Sequence, residues 1–161
     1  QSGRQHQRKP GDILPLLHRA LEMGVECYLP VVPPRAGRWH GPKRLWFTRL
    51  GSAQRHWSLN RYGIPEYGPR RGRRRVWRLD LLFLPLIGFD ADGYRMGMGG
   101  GYYDASLAYL ARRRVWRRPR RVGVAFDLQQ VTRLPRDLWD IPLDAAVTER
   151  KVYRFRNPAP D

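Results

Sequence analysis

The sequence predicts an α/β fold, a three-layer, Rossmann-like domain with a mostly parallel sheet, on three observations. Short apolar blocks that stop at proline or glycine alternate with stretches of helical spacing. A glycine-dense loop joins one such block to the helix that follows it, as strand-to-helix turns do in parallel sheets. The chain has 161 residues, 42% of them hydrophobic, with six Trp and eight Tyr, which suffices for one packed core.

In chain order, residues 1–11 are polar and read as a loose segment, residues 12–156 as one domain, and residues 157–161 as a tail. Asp12 has the chemistry of a helix N-cap, followed by Ile13, Leu16, Leu17, Ala20 and Leu21 on one face and by Gly24 as a stop. Val25 to Val32 reads as a buried strand halted by Pro33 and Pro34. Leu45 to Thr48 reads as a short strand, and Trp57 to Glu66 leads through Gly63 into an arginine block from Arg70 to Arg78. Asp80 to Leu84 is an apolar block ending at Pro85; a helix from about Tyr102 to Arg114 carries Tyr103, Leu107 and Leu110 on one face. After a second arginine block, Arg112 to Arg121, the run Val122 to Phe126 completes a β-α-β unit, and Ala145 to Glu149 is the last strand. A ligand is expected at the carboxyl ends of such strands. No internal repeat is visible.

The formal net charge is +17, with a pI of 11.3. Two readings of that charge stand side by side. Arginine blocks interleaved with Trp77 and Trp116 have the composition of a nucleic-acid surface. Alternatively the blocks are solvated connections, and the field steers a polyanionic small molecule inward. Only Lys9, Lys43 and Lys151 among the basic residues are lysine, a skew that base composition of the gene also produces. Cys27 is the sole cysteine, so intrachain disulfides and cysteine-cluster metal sites are excluded; its apolar setting marks it as a buried, inert thiol. His6, His18, His40 and His56 lack the i, i+4 spacing of zinc hydrolases. No apolar run approaches the ~20 residues that span a bilayer, and the first residues lack an apolar leader core. A monomer in the reducing cytoplasm is expected.

Pro85 to Asp104 is the segment that names a chemistry. Gly97, Gly99, Gly100 and Gly101 sit ahead of a helix and leave no side chains between the backbone amides and an anion. Arg95 adds a fixed cation. The spacing fits neither the P-loop, which needs Lys-Ser/Thr, nor the dinucleotide pattern Gly-x-Gly-x-x-Gly. A glycine-rich connection that only allows close packing is the alternative reading.

Phe89 to Asp104, read as Phe-Asp-x-x-Gly-x-Arg-x-Gly-x-Gly-Gly-Gly-Tyr-Tyr-Asp, resembles the signature of 5-formyltetrahydrofolate cyclo-ligases, also called 5,10-methenyltetrahydrofolate synthetases. Gly63-Ile64-Pro65-Glu66, Ala125 to Gln129, Asp140 to Asp144 and Val147-Thr148-Glu149 are similar to further segments of that family, in order, over roughly residues 11–150. The resemblance implies ATP-dependent conversion of 5-formyltetrahydrofolate, in some forms polyglutamylated, to the 5,10-methenyl compound through a phosphorylated formyl oxygen. It implies ATP contacts from Arg95, Met96, Gly97, Met98, Gly99, Gly100, Gly101, Tyr102 and Tyr103, with Arg95 as the catalytic cation whose loss spares stability. It implies folate contacts from Met98, Gly99, Gly100, Gly101, Tyr102 and Glu66, and Mg²⁺ held by Asp104 and Asp140. Asp104 has a second reading as a first-turn helix cap, and Arg95 as a bridge to a nearby carboxylate. Phe89, Trp57 and Trp46 are wall candidates for which core burial is the simpler role. A family-like domain without turnover that binds RNA or another polyanion, and an ATP-binding structural subunit, are the competing readings.

The sequence departs from the family pattern at several positions. The family's first helix with Lys-x-x-x-Arg and its first strand are not recognisable, and Pro10 stands where an acidic folate-anchoring residue is usual. Tyr67 replaces a proline after Glu66, Trp139 replaces a histidine before Asp140, and Ala105 stands where arginine is frequent.

Overall fold

A computed structural model describes residues 13–33, 43–51, 56–68, 72–113 and 118–156. The loose N-terminal segment, Asp12, Trp116 and the tail lie outside the described residues. In chain order the elements are α1 (Leu14–Glu22), β1 (Tyr28–Val31), β2 (Trp46–Arg49), β3 (Trp57–Leu59), β4 (Pro65–Tyr67), β5 (Arg73–Arg74), β6 (Leu81–Pro85), β7 (Gly88–Asp90), β8 (Arg95–Met96), α2 (Tyr102–Leu107), β9 (Arg120–Val124), β10 (Gln130–Val131), β11 (Ala145–Val147) and β12 (Val152–Arg154). Short 3₁₀ segments lie at Val76–Arg78, Ala108–Arg112 and Asp127–Gln129.

The parallel sheet of the sequence reading survives only in part. The four-stranded sheet β12-β11-β9-β6 pairs β6, β9 and β11 in parallel and adds β12 as an antiparallel edge. β6, α2 and β9 form the expected β-α-β unit. Elsewhere β1-β2-β5 and the ribbon β3-β4 are antiparallel, and β7 pairs in parallel with β10 but antiparallel with β8. Among the described residues three of the eight pairings are therefore parallel, and the sheets are largely antiparallel rather than the mostly parallel, three-layer arrangement expected. The reason is coverage: an all-parallel sheet needs helices on both faces, and among the described residues only α1 and α2 are α-helical.

Local chemistry explains the elements. α1 has Pro15 in its first turn and ends in a Schellman motif, with Val25 N–H donating to Ala20 O, Gly24 N–H to Leu21 O, and Gly24 at φ 75°. The strand expected over Val25–Val32 shortens to β1 and is half-buried, because it pairs on one side with β2 and its face is only partly covered. The helix expected to reach Arg114 is α-helical only to Leu107 and tightens into a 3₁₀ turn that ends at Arg112.

A hairpin, β7-β8, also stands between β6 and the glycine loop. Its turn is built by Asp90, fully buried, whose Oδ1 accepts from the amides of Asp92 and Tyr94, both at 3.0 Å, while Oδ2 accepts from Leu134 N–H at 3.1 Å. Gly93 completes it at φ 88°, where a Cβ would fall 2.7 Å from the Phe155 ring. The Phe-Asp-x-x-Gly half of the signature is thus structural.

One hydrophobic cluster joins the sheets through Phe47, Val76, Leu84, Phe89, Leu107, Leu110, Leu143 and Ala146. Gly123 of β9 lets two layers meet, since a Cβ there would lie 2.6 Å from Leu86 Cδ2 and 2.8 Å from Leu143 Cδ1. Arg121, read from its arginine block as solvated, is instead buried. Its Nε and Nη2 donate to Asp144 Oδ2 and Oδ1 at 2.8 and 2.6 Å, and its own amide donates to Oδ2 at 2.7 Å. Strand alternation turns Arg120 outward and Arg121 inward, which overrides the composition of the block.

Candidate functional site

The loop between β8 and α2 uses its glycines in two ways. Gly99 and Gly101 adopt φ 82° and 66°, and a Cβ on either would touch nothing, so the left-handed backbone is what requires glycine. At Gly97 and Gly100 an added side chain would instead make a neighbouring side chain shift. A Cβ at Gly97 would lie 2.9 Å from Arg95 Nη1, and one at Gly100 the same distance from the Tyr102 ring. Among the described residues the amides of Met98, Gly99, Gly100 and Gly101 donate to no acceptor. Consecutive unengaged N–H groups on glycine backbone have the form of an anion nest.

Arg95 does not stand in the opening of that loop. Its side chain is 4% exposed, and Nη2 donates to Asp104 Oδ1 at 2.6 Å. Nε is buried without a partner among the described residues. The bridging reading therefore describes its contact, an enclosed guanidinium on a carboxylate that is 32% exposed. Asp104 has the first-turn position expected of it, without a capping hydrogen bond. The N-cap position of α2 is Gly101 and makes no side-chain cap bond, while Asp104 lies in the first turn with its carboxylate turned to Arg95. Asp140 closes its own turn, with Oδ2 accepting from Asp137 N–H at 2.8 Å. Asp104 Oδ2 and Asp140 Oδ1 make no hydrogen bond among the described residues. No group of three or more His, Cys, Asp or Glu suited to a metal occurs among them. Asp104 and Asp140 each keep one carboxylate oxygen free of hydrogen bonds among the described residues, and a carboxylate oxygen is the donor type Mg²⁺ takes alongside phosphate and water.

Tyr102 and Tyr103 pack against the core at the start of α2. Burial pushes the Tyr103 hydroxyl up from its ordinary pKa, with Arg95 opposing. The Tyr102 hydroxyl is also raised, first by its hydrogen bond with Tyr62 at 3.0 Å and next by desolvation, against the pull of Arg61. Arg61 Nη2 donates to the same hydroxyl. Met98 is 79% exposed beside the open amides, and Met96 is 45% exposed. Of the wall candidates, Phe89 is fully buried core, Trp46 is covered by the Arg75 guanidinium at 3.5 Å from its ring centroid, and Trp57 is solvent-exposed rather than core.

Glu66 sits on the β3-β4 ribbon, where its Oε1 accepts from Val32 N–H at 2.8 Å and from Asn60 Nδ2 at 2.9 Å. Its Oε2 makes no hydrogen bond among the described residues. Asn60 in turn shapes the ribbon's tip, its Oδ1 accepting from Tyr62 and Ile64 amides at 2.9 and 3.1 Å, with Gly63 at φ 72°. Arg61, Tyr62 and Lys43 are the residues that sequence reasoning passed over. The only available signal was the turn Asn60-x-x-Gly63, which announces a hairpin tip but not what the tip touches.

Of the aromatics that interleave the arginine blocks, Trp77 is 43% exposed with its ring edge-on to Tyr109, and several rings beside the blocks carry an arginine over them. Arg74 lies over Tyr28 at 5.0 Å, Arg75 over Trp46, and Arg113 over Tyr109 at 5.4 Å, so these rings already have cation partners. Cys27 is half-buried rather than fully enclosed. Among the described residues no helix is long and apolar enough to cross a membrane.

Comparison with known proteins adds an independent finding. A model of the 5-formyltetrahydrofolate cyclo-ligase family matches residues 11–149. The 5-formyltetrahydrofolate cyclo-ligase of Escherichia coli K12 is 39% identical over 148 residues, which is 89% of this chain and 74% of that protein. That of Haemophilus influenzae is 32% identical over 118 residues, 65% of this chain and 61% of that one. Among solved structures, the 5,10-methenyltetrahydrofolate synthetase of Aquifex aeolicus superposes with a TM-score of 0.68 at 34% identity, covering 91% of this chain and 66% of that chain. The Mycoplasma pneumoniae synthetase, at 22% identity and a TM-score of 0.53, shares the fold.

Proposed function

This chain belongs to the 5-formyltetrahydrofolate cyclo-ligase family, and on that premise we propose that it converts 5-formyltetrahydrofolate to 5,10-methenyltetrahydrofolate at the expense of ATP. The observation that carries the reading is the run of unengaged amides from Met98 to Gly101, held open by left-handed Gly99 and Gly101.

A formyl amide oxygen is a poor leaving group. Transfer of the γ-phosphoryl to it makes an imidate phosphate, N10 of the same molecule attacks the formyl carbon, and phosphate departs with ADP already formed. Such chemistry asks for positioning and charge stabilisation more than for a protein nucleophile. The amides of Met98 to Gly101 bind the polyphosphate. Arg95, enclosed near Gly97 and tied to Asp104, fixes the path of the loop. Tyr102 and Tyr103 form the floor between nucleotide and folate; exposed Met98 offers an adaptable apolar contact to the folate, and Glu66 presents Oε2 to it. Asp104 and Asp140 are the carboxylates that would hold Mg²⁺, which when bound neutralises phosphate oxygens. The setting proposed is the cytoplasm, with the protein acting as a monomer.

The full chain, given 5-formyltetrahydrofolate, ATP and Mg²⁺, is expected to form the methenyl chromophore with one ADP per product, and to stop when the cation is chelated. Product formation without ATP, or undiminished turnover after chelation, overturns the mechanism. A folded protein that makes no product but binds RNA with a steep salt dependence would support the polyanion-binding reading instead.

A further inference from the structure

The glycine loop contains one arginine, and that arginine is buried and paired, so the loop's own cation is unavailable to a ligand in its opening. Two other cations converge on its edge from distant parts of the chain. Arg61, exposed at the tip of the β3-β4 ribbon, donates to the Tyr102 hydroxyl, and its guanidinium carbon lies 6.0 Å from the centre of the Tyr102 ring and 4.9 Å from that of Tyr62. Lys43 Nζ lies 6.0 Å from the same Tyr102 ring.

Each is carried there by built structure. Ser106 Oγ donates to Tyr102 O at 2.6 Å and accepts from the buried amide of Leu45 at 2.8 Å, which fastens the segment bearing Lys43 to the first turn of α2. Glu66 and Asn60 shape the ribbon tip and tie it to Val32, which sets where Arg61 points. A Cβ on Gly100 would lie 2.9 Å from the Tyr102 ring, so the ring that both cations flank is itself next to the glycine loop. The Arg61 guanidinium, with five N–H donors, is held by the hydroxyls of both Tyr62 and Tyr102.

We propose that Arg61 and Lys43 form the solvent-facing cationic edge of the polyphosphate site, binding the anionic oxygens of the nucleotide triphosphate while the amides of Met98 to Gly101 bind them from the other side. The inference rests on the nucleotide-dependent reading above and adds to it which residues supply the ligand's counter-charge. A planar fork held by a tyrosine hydroxyl is preorganised for phosphate, and a lysine contributes a second point charge.

Calorimetric titration of the full chain with tripolyphosphate and with ATP tests this without needing turnover. Arg61→Gln and Lys43→Gln are each expected to weaken both ligands about tenfold, the effect of one charge-assisted hydrogen bond. Arg61→Lys recovers part of the loss. Arg19→Gln, the same charge change on exposed α1, leaves affinity within about twofold, because screened distant charge contributes little. Melting temperatures of all variants stay near that of the parent, and KM for 5-formyltetrahydrofolate is unchanged. If Arg61→Gln binds tripolyphosphate as Arg19→Gln does, or raises KM for the folate and not for ATP, the proposal fails even where methenyl product is made. If the parent makes no product but loses tripolyphosphate on Arg61→Gln, the cyclo-ligase reading fails and the anion site stands.

Discussion

Arg95→Ala is expected to lower kcat about hundredfold and to lower the melting temperature as well. The guanidinium is enclosed at 4% exposure, joined to Asp104 at 2.6 Å and in contact with the space beside Gly97. Its loss leaves the glycine loop without its internal tie, and a displacement of about 1 Å at a phosphoryl-transfer site costs on the order of 10²-fold. The stability cost is about 2–3 kcal/mol, because a charged hydrogen bond and a buried stem are both removed, moderated by the partial exposure of Asp104 to water. Lysine at this position keeps the charge without the fork and is expected to fall between. Steady-state kinetics with a thermal melt on each variant separates the two effects. A variant that melts normally and turns over normally would remove Arg95 from both roles.

The second large effect belongs to the fold. Arg121→Ala is expected to destabilise the domain by about 3–5 kcal/mol, the usual consequence of leaving one member of a buried ion pair behind. Arg121 and Asp144 are 2% and 23% exposed, and three hydrogen bonds to the Asp144 carboxylate connect β9 to the start of β11. Asp144 also accepts at its carbonyl from Phe155 N–H at 3.0 Å, which carries the connection to the end of β12. Chemical denaturation measures the loss directly. The folded fraction should keep its nucleotide affinity, since the pair belongs to the body of the sheet; a weakened affinity with unchanged stability would contradict this assignment.

The glycine loop was legible in the sequence because its requirement is local: left-handed φ at Gly99 and Gly101 calls for glycine in place. β6 was legible as an apolar block for the same reason, and β9 only over Val122 to Val124, since it starts two residues earlier, inside the arginine block. What escaped depends on partners far along the chain. The hairpin β7-β8 has strands of three and two residues, too short for any alternation to show, and β12 likewise. Arg121 carries the same composition as Arg120, and only the sheet decides which of them faces inward. The pairing of Arg95 with Asp104 follows from the hairpin register, and the arrival of Arg61 at Tyr102 spans 41 residues of chain. Charged side chains declare their sign in a sequence, but not the partner that consumes it.

The backbone amides of the loop provide the most direct measurement. In ¹⁵N-resolved NMR of the full chain, titration with Mg-ATP is expected to shift the amide resonances of Met98, Gly99, Gly100, Gly101 and Tyr102 saturably, and tripolyphosphate is expected to shift the same set. If those resonances remain in place while ATP binds and perturbs amides elsewhere, the loop is a structural connection and the proposed site is wrong.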